Sequence, residues 1–355
     1  MTTTVNKSAK GNLEVKYPLV YKDIKSKIEK GILSGTLPSA RELAADYNVN
    51  FMTVNKAIKK LESDGLVTCI PRKGTYIKRH CSVAVCSNDP HVSVLSSKIY
   101  NHVIIAAQRY FSEHNCPMYL EGSLLHKENV AEVLNKRIDG FLLFYNEDFP
   151  LPESLLHMPH VRLMGNYNKD AAHDHVTYDN SRVGEIAAEY LWEQECRSAA
   201  YIGPYGMKLF DRRRNAFIAR FKALGGKIYE FPGKWDFEME SMQRQVENVL
   251  ACKKLPDAIF VPTDNVIAIV CGILLKKNIQ PEEHFKFIGC NNLSTYPHFL
   301  MDRFATIELF PDKIGRLGAA QLLKRISDPD LPQYIKIIEP EIVLPGKKRE
   351  YRNED

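Results

Sequence analysis

The chain has 355 residues, 45% of them hydrophobic and 26% charged, a balance that suits a soluble globular protein with room for two or three domains. Met1 to Lys16 is polar and no apolar run reaches spanning length, so neither a signal peptide nor a membrane helix is expected, and the expected compartment is the cytoplasm. The net charge of +5 conceals a split: residues 1 to 80 hold 15 Lys or Arg against 7 Asp or Glu, net +8, and the remainder holds 33 against 36, net −3.

In chain order, Tyr17, Val20, Ile24 and Ile28 recur at the spacing of an amphipathic helix. Ser39-Ala40-Arg41-Glu42 reads as a capping box, in which Ser39 accepts from the amide of Glu42 and the Glu42 carboxylate reaches back to the amide of Ser39. Leu43, Ala44 and Tyr47 give the helix that follows a short apolar face. The turn Asn48-Val49-Asn50 ends on a second N-cap, and Val54, Ala57, Ile58 and Leu61 trace the buried face of a third helix. Its other face carries Met52, Asn55, Lys56, Lys59 and Lys60. Asp64-Gly65 stops that helix, and two short apolar strands flank Pro71-Arg72-Lys73-Gly74. Three helices and a hairpin predict a winged helix-turn-helix over residues 1–78, with a linker at 79–82. Positive charge concentrated on so small a module is the footprint of a polyanion binder, because counterions displaced from phosphates drive association. For the lysines taken alone, a solvated helix face is the alternative.

From Ser82 onward, apolar strands alternate with amphipathic helices. Strands are predicted at Ser82 to Cys86, Met118 to Leu120, Phe141 to Phe144 and Val161 to Met164, with a helix carrying Tyr100, Val103, Ile104, Ala107, Tyr110 and Phe111 after the first. A second series has strands near Ala199 to Ile202, Lys227 to Phe231, Ala258 to Val261 and Phe285 to Ile288, and helices near 181–195, 211–224, 239–252 and 264–277. Such alternation predicts an α/β fold of doubly wound parallel sheets, and the number of units predicts two lobes with a cleft between them. The eight cysteines form no Cys-x-x-Cys pair and mostly lie in apolar stretches, so they read as reduced core thiols, with no zinc site or disulfide framework expected.

Residues 17 to 78 resemble the DNA-binding domain of the GntR family, with its Leu-Pro-Ser-x-Arg-Glu-Leu helix and Gly-Thr wing. The resemblance implies that Ser39 and Arg41, the start of the third helix (Phe51, Met52, Thr53, Asn55, Lys56 and Lys59) and the wing residues Arg72, Lys73 and Gly74 face double-stranded operator DNA. Members commonly carry Arg where Phe51 and Asn55 stand here. Two readings of Asn55 follow: its amide pairs with an adenine edge, or it touches a phosphate. Phe51 contacts a thymine methyl or packs against the second helix.

The later segments Arg137-Ile138-Asp139-Gly140-Phe141, Tyr178-Asp179-Asn180, Tyr201-Ile202-Gly203-Pro204, Arg213 to Phe217, Thr263-Asp264-Asn265 and Ile288-Gly289-Cys290-Asn291 resemble, in that order, the LacI-type sensors of the periplasmic-binding-protein type I fold. This implies a two-lobed sensor over residues 83–345, with 346–355 as a tail that includes the basic run Lys347-Lys348-Arg349. A GntR-type reader joined to a LacI-type sensor resembles the arabinose-repressor branch of bacterial sugar regulators.

Ligands of open parallel sheets bind beyond the carboxyl ends of strands, where Asn88, Asp89, Asn146, Asn166, Asp264 and Asn291 fall. Carboxylates and amides suit the many hydroxyls of a sugar. By resemblance Asn166, Arg213, Asp264 and Asn291 stand at sugar-contacting positions, although Asp is common in the family where Asn166 and Asn291 stand. Arg212-Arg213-Arg214 is read as a solvated cluster, as a phosphate holder at a helix start, or as one inward arginine, the last favoured because Arg213 and Phe217 share a helix face. Trp235 either stacks on a sugar ring or packs within its loop. His173-Asp174-His175 lacks a third ligand, reads as a solvated loop and is assigned no metal. The function expected is a homodimeric, sugar-responsive DNA-binding repressor of carbohydrate-utilisation genes, needing no cofactor. Its effector is expected to be a monosaccharide, a pentose or deoxyhexose such as arabinose or fucose, or its phosphate. The alternative is a two-lobed α/β enzyme acting on a small sugar or sugar phosphate; for this no nucleophile elbow, phosphate-cradling glycine loop or His-Glu-x-x-His helix is present in the sequence.

Overall fold

The computed structural model describes residues 17–29, 32–33, 35–77, 81–89, 95, 97–123, 138–147, 149–167, 173–232, 239–292 and 303–346. It divides into two compact units, Met1–Cys81 and Ser82–Asp355. Trp235, residues 79–80 of the expected linker and residues 347–355 of the expected tail lie outside the described residues.

In the first unit, helices α1 (Tyr17–Glu29), α2 (Ala40–Asp46) and α3 (Phe51–Ser63) precede an antiparallel hairpin of β1 (Val67–Ile70) and β2 (Gly74–Ile77). Val20, Ile24 and Ile28 from α1, Leu43 from α2, and Val54, Ala57, Ile58 and Leu61 from α3 form one buried cluster with Leu66 and Val67. The periodic residues are thus the ones that meet. Both halves of the capping box at α2 are present, and Asn50 accepts from the amide of Thr53 to cap α3. At the hairpin tip Arg72 has φ 62° and Gly74 φ 121°, which turns the chain tightly and leaves Arg72 and Lys73 exposed.

The second unit contains two parallel sheets. The first has the order β13-β7-β6-β5-β3-β4, built from β3 (Val83–Ser87), β4 (Met118–Ser123), β5 (Gly140–Phe144), β6 (His160–Leu163), β7 (Asp174–Tyr178) and β13 (Ile335–Ile338). The second has the order β11-β10-β8-β9, from β8 (Ser198–Tyr201), β9 (Lys227–Tyr229), β10 (Ala258–Phe260) and β11 (Lys286–Ile288). β12 (Thr306–Glu308) pairs antiparallel with β14 (Glu341–Val343), and Ala305 bridges to Ile288 of β11.

Helix α4 (Lys98–Glu113) follows β3, and the one-turn helix α5 (Glu153–Leu156) lies between β5 and β6. Helices α6 (Asn180–Glu193), α7 (Lys208–Ala223), α8 (Met239–Leu250), α9 (Asp264–Lys276) and the one-turn α10 (Pro281–His284) accompany the second sheet, while α11 (Pro311–Ser327) returns to pack on α4 and the first. The chain therefore passes between sheets after Tyr178, between Glu308 and Pro311, and between Ile338 and Glu341.

Two glycines set helix distances. A Cβ on Gly184 of α6 would stand 2.1 Å from the carbonyl oxygen of Arg213, and one on Gly315 of α11 would stand 2.2 Å from that of Val103. Only glycine lets these helices approach so closely.

One expectation is corrected. Residues 174 and 175, read as part of a solvated loop, begin β7, and every residue of that strand is buried. Asp174 is paired with Arg325 of α11 at 2.8 Å and accepts from Gln321 and the Tyr334 amide, and the His175 ring bonds to the carbonyl oxygen of Met164. These partners lie as many as 160 residues away in the chain, so local polarity mimics a loop. Cys69, read among core thiols, is exposed on β1, whereas Cys86, Cys116, Cys196, Cys271 and Cys290 are buried.

Candidate functional sites

In the first unit, α3 buries one face and presents the other. Phe51 and Met52 are 47% and 62% exposed at its start, Lys56 and Lys59 are exposed one turn further on, and Asn55 is half-buried between them. Exposure of Phe51 counts against packing on α2 as its main role. Arg41 stands exposed on α2, beside the exposed cap Ser39, whose hydroxyl is engaged with Glu42. Arg41, Lys56, Lys59, Arg72 and Lys73 form no ion pair among the described residues. Lys60, by contrast, is held by Asp64 at 2.7 Å. Thr53 departs from the DNA-facing set: it is 1% exposed, and its hydroxyl donates to the Asn50 side chain, which makes it part of the helix cap.

In the second unit, the polar residues past the strand ends form connected hydrogen bonds. Arg213, on α7, is 1% exposed. Its Nε donates to Asn180 Oδ1 at 3.0 Å, Nη1 to the Pro262 carbonyl at 2.6 Å and Nη2 to the Tyr178 hydroxyl at 3.2 Å. Asn180 donates in turn to Asn166, which donates to Glu147 at 2.6 Å and to the Lys208 carbonyl at 3.2 Å. The relay thus links the ends of β5, β6 and β7 in the first lobe to α7 and β10 in the second. Gly184 makes this possible, since the close approach of α6 to α7 brings Asn180 and Arg213 together. The neighbours missing from the expected set, Glu147, Tyr178 and Asn180, all carry a readable signal: each lies at or just past a strand end.

Asn291 has φ 104° and is 8% exposed, its backbone amide bonds to Ile307, and its side-chain amide has no hydrogen-bond partner among the described residues. Asp264, 3% exposed, accepts from the Thr306 hydroxyl, and its backbone amide donates to the Cys290 carbonyl. It thereby fastens the start of α9 to β12 and the turn that holds Asn291. Asp89 accepts from Asn146 at 2.8 Å. Asn88 is corrected as a ligand candidate: it is fully buried, both of its amide bonds go to the carbonyls of Asn146 and Phe149, and its Oδ1 accepts from the Asn146 amide. With donors and acceptor so engaged, it pins β3 to the loop after β5.

Of the arginine triplet, Arg213 alone turns fully inward; Arg212 is exposed, and Arg214 is paired with Asp211 over the Tyr205 ring. On the face of the first sheet opposite α11, burial lowers the pKa of His160 and brings those of His173 and His175 down to about 4, with Arg162 adding to each depression.

Two family models match the chain: bacterial regulatory proteins of the gntR family at residues 16–77, and the periplasmic-binding-protein-like domain at residues 188–344. The chain joins a GntR-type helix-turn-helix domain to a periplasmic-binding-protein-like domain. It is 27% identical over 212 residues to the ribose operon repressor of Escherichia coli K12, a match covering 58% of this chain and 63% of that protein. The binding-protein-like domain superposes on a LacI-family transcriptional regulator of Enterococcus faecium with bound ribose (TM-score 0.63, 16% identity, 74% of this chain and 97% of that one). It also superposes on the Escherichia coli trehalose repressor (TM-score 0.61, 21% identity, 74% and 100% of the two chains). These likenesses establish the two-lobed fold expected from the alternation of strands and helices. No helix among the described residues is long and apolar enough to cross a membrane.

Proposed function

We propose that the protein is a DNA-binding transcriptional repressor whose affinity for its operator is set by a sugar-class effector held between the two lobes of the binding-protein-like domain. The observation that carries this reading is the Arg213–Asn180–Asn166 relay, a buried polar chain that crosses from one lobe to the other where open α/β sheets take ligands. Arg213, Asn166 and Asn291 are the contacts assigned to the effector, Asp89 and Asn146 line the first-lobe side, and Asp264 positions Asn291 from behind. In the GntR-type domain, Arg41, Phe51, Met52, Asn55, Lys56, Lys59, Arg72, Lys73 and Gly74 form the operator face. A homodimer would present two such faces to a pseudo-palindromic site. Relatives that are repressors, one sensor fold with ribose bound, and a fold of the effector-binding type support this reading over the enzyme alternative.

The contact from Asn166 to the Lys208 carbonyl joins the lobes, so effector entry requires it to part. An effector moves operator occupancy only by its differential affinity for the two arrangements, and a swing from mostly bound to mostly free requires roughly 10⁴-fold, about 5.5 kcal/mol. The test is to select an operator from a random library, then titrate the protein on it with a panel of pentoses, deoxyhexoses and their phosphates by fluorescence anisotropy. An operator with two symmetric half-sites and at least one responsive sugar is the expected result. Turnover of a panel member, with no selectable operator, would instead establish the enzyme.

A further inference from the structure

Arg213 is a charge buried without a counter-charge among the described residues. Its three hydrogen bonds go to an amide oxygen, a peptide carbonyl and a phenol, all neutral, and it makes no ion pair among the described residues. The carboxylates at the same strand ends are engaged elsewhere: Glu147 with Asn166, Asp89 with Asn146, Asp264 with Thr306, and Glu308 with Asn292 and the Phe310 amide. A guanidinium has five N–H donors. Three are used here, so Nη1 and Nη2 each keep one for a further acceptor.

Burying a cation among neutral dipoles is costly, and a partner anion offsets that cost far better than another neutral group. A planar guanidinium with a free N–H on each terminal nitrogen matches a carboxylate or phosphate in bidentate fashion. Arg182 and Arg220, nearer the surface of this unit, and the partly buried Arg214 each have an acidic partner within 3.2 Å. Arg213, the most deeply buried arginine among the described residues, has none there.

We infer that the effector carries an anionic group, a carboxylate or a phosphate, and that Arg213 is the residue that takes it. The inference rests on the reading of the inter-lobe site as the effector site and narrows the effector from sugars in general to sugar acids or sugar phosphates.

Calorimetry on the full chain tests it, with all titrations at one ionic strength. The probes are ribose, arabinose and galactose beside ribose 5-phosphate, arabinose 5-phosphate and galacturonate, with inorganic phosphate as a separate arm. At least one anionic probe should bind tenfold or more tighter than its neutral parent. The phosphate and uronate arms separate the two sources of charge. Arg213→Gln, which keeps hydrogen-bond donors without the charge, should bring the anion and its parent within about twofold of one another, and Arg213→Lys should keep the preference for the anion. A neutral sugar that binds as tightly as its charged derivative and shifts operator affinity would overturn the inference and leave the sensor reading intact. An anion preference unchanged in Arg213→Gln would overturn the assignment to Arg213. No binding by any probe, neutral or charged, would count against the sensor reading and the inference together. Circular dichroism melts of both variants identify a folding failure, in which case Tyr178→Phe, which removes only the hydroxyl that Nη2 bonds, should retain the anion preference, and loss of that preference there would overturn the proposal.

Discussion

In Met1–Cys81 the cations that define the candidate interface stand in solvent with no ion pair among the described residues, whereas in Ser82–Asp355 Arg213 and the asparagines beside it are turned inward and bonded to one another. The contrast follows from what each surface meets. A phosphate backbone arrives with its own charge and exchanges counterions for lysines, so a reader leaves its cations exposed and flexible. A small effector offers few atoms, so its site must hold donors and acceptors in fixed positions before the effector comes, and burial among satisfied partners does this.

The largest effect that would sharpen this contrast is on the salt dependence of operator binding. Replacing Lys56, Lys59, Arg72 and Lys73 together by alanine should lower the magnitude of the slope of log K against log salt by roughly 3 to 4, about 0.9 for each phosphate no longer neutralised. Effector affinity, measured on the same preparation, should stay unchanged. A parental slope in the quadruple variant would show that the exposed face of α3 and the wing do not meet DNA.

A second prediction concerns acid. His175 has a folded pKa of about 4 against an ordinary value near 6.5, chiefly through burial, so the unfolded chain binds protons in this window that the folded chain does not. Its contribution is complete above about pH 6.5 and is lost as the pH falls toward 4, on the order of 3 kcal/mol in all. His160 and His173 shift in the same direction. Urea titrations at pH 7 and pH 5 should therefore show the second unit weakening, and His175→Gln should flatten the dependence; an identical profile in that variant would contradict it.

Gly184→Ala probes the inter-helix contact that sets Arg213. The added methyl must displace the backbone of α7, at a cost of typically about 1 to 3 kcal/mol, and should weaken effector binding at the same time. Loss of stability with unaltered effector affinity would separate the contact from the site. Smaller still, Asn55→Arg should switch one symmetric base preference in each half-site, with discrimination of roughly 1 to 3 kcal/mol if Asn55 reads a base. Identical selected operators would leave it a positioning residue. Ser39→Ala, which removes half of the capping box, should cost about 1 kcal/mol in the first unit alone.

The first unit was legible almost residue by residue, because Val20, Ile24, Ile28, Val54, Ala57, Ile58 and Leu61 announce their faces by period and both caps rest on neighbours within three positions. Thr53 misled because a hydroxyl at a helix start serves a cap as readily as a phosphate. Except at β7, for which no strand is predicted, the alternation of strands and helices in the second unit was plain through β11. Beyond it, α11 buries a face that includes Gly315, Gly318 and Ala319, which carry little apolar signal, and β7 begins with charges whose partners are far along the chain. The inward turn of Arg213 could be read from its four-residue spacing to Phe217, yet its lack of a carboxylate partner among the described residues could not, since it depends on which of many acidic residues fold to its side. Asn88 looked like a ligand contact for the same reason: position past a strand is visible in sequence, and saturation of its amide is not.

Under the proposed function, occupancy of the inter-lobe site of one unit controls operator affinity of the other. Anisotropy of a labelled, selected operator, titrated with protein in the absence and presence of the strongest-binding panel member, tests it most directly when the wild-type chain and Arg213→Gln are run side by side. The effector is expected to shift the wild-type operator affinity by at least tenfold, while Arg213→Gln binds the operator in the absence of effector and shows little or no shift at the same concentration. An equal shift in both proteins would contradict this expectation.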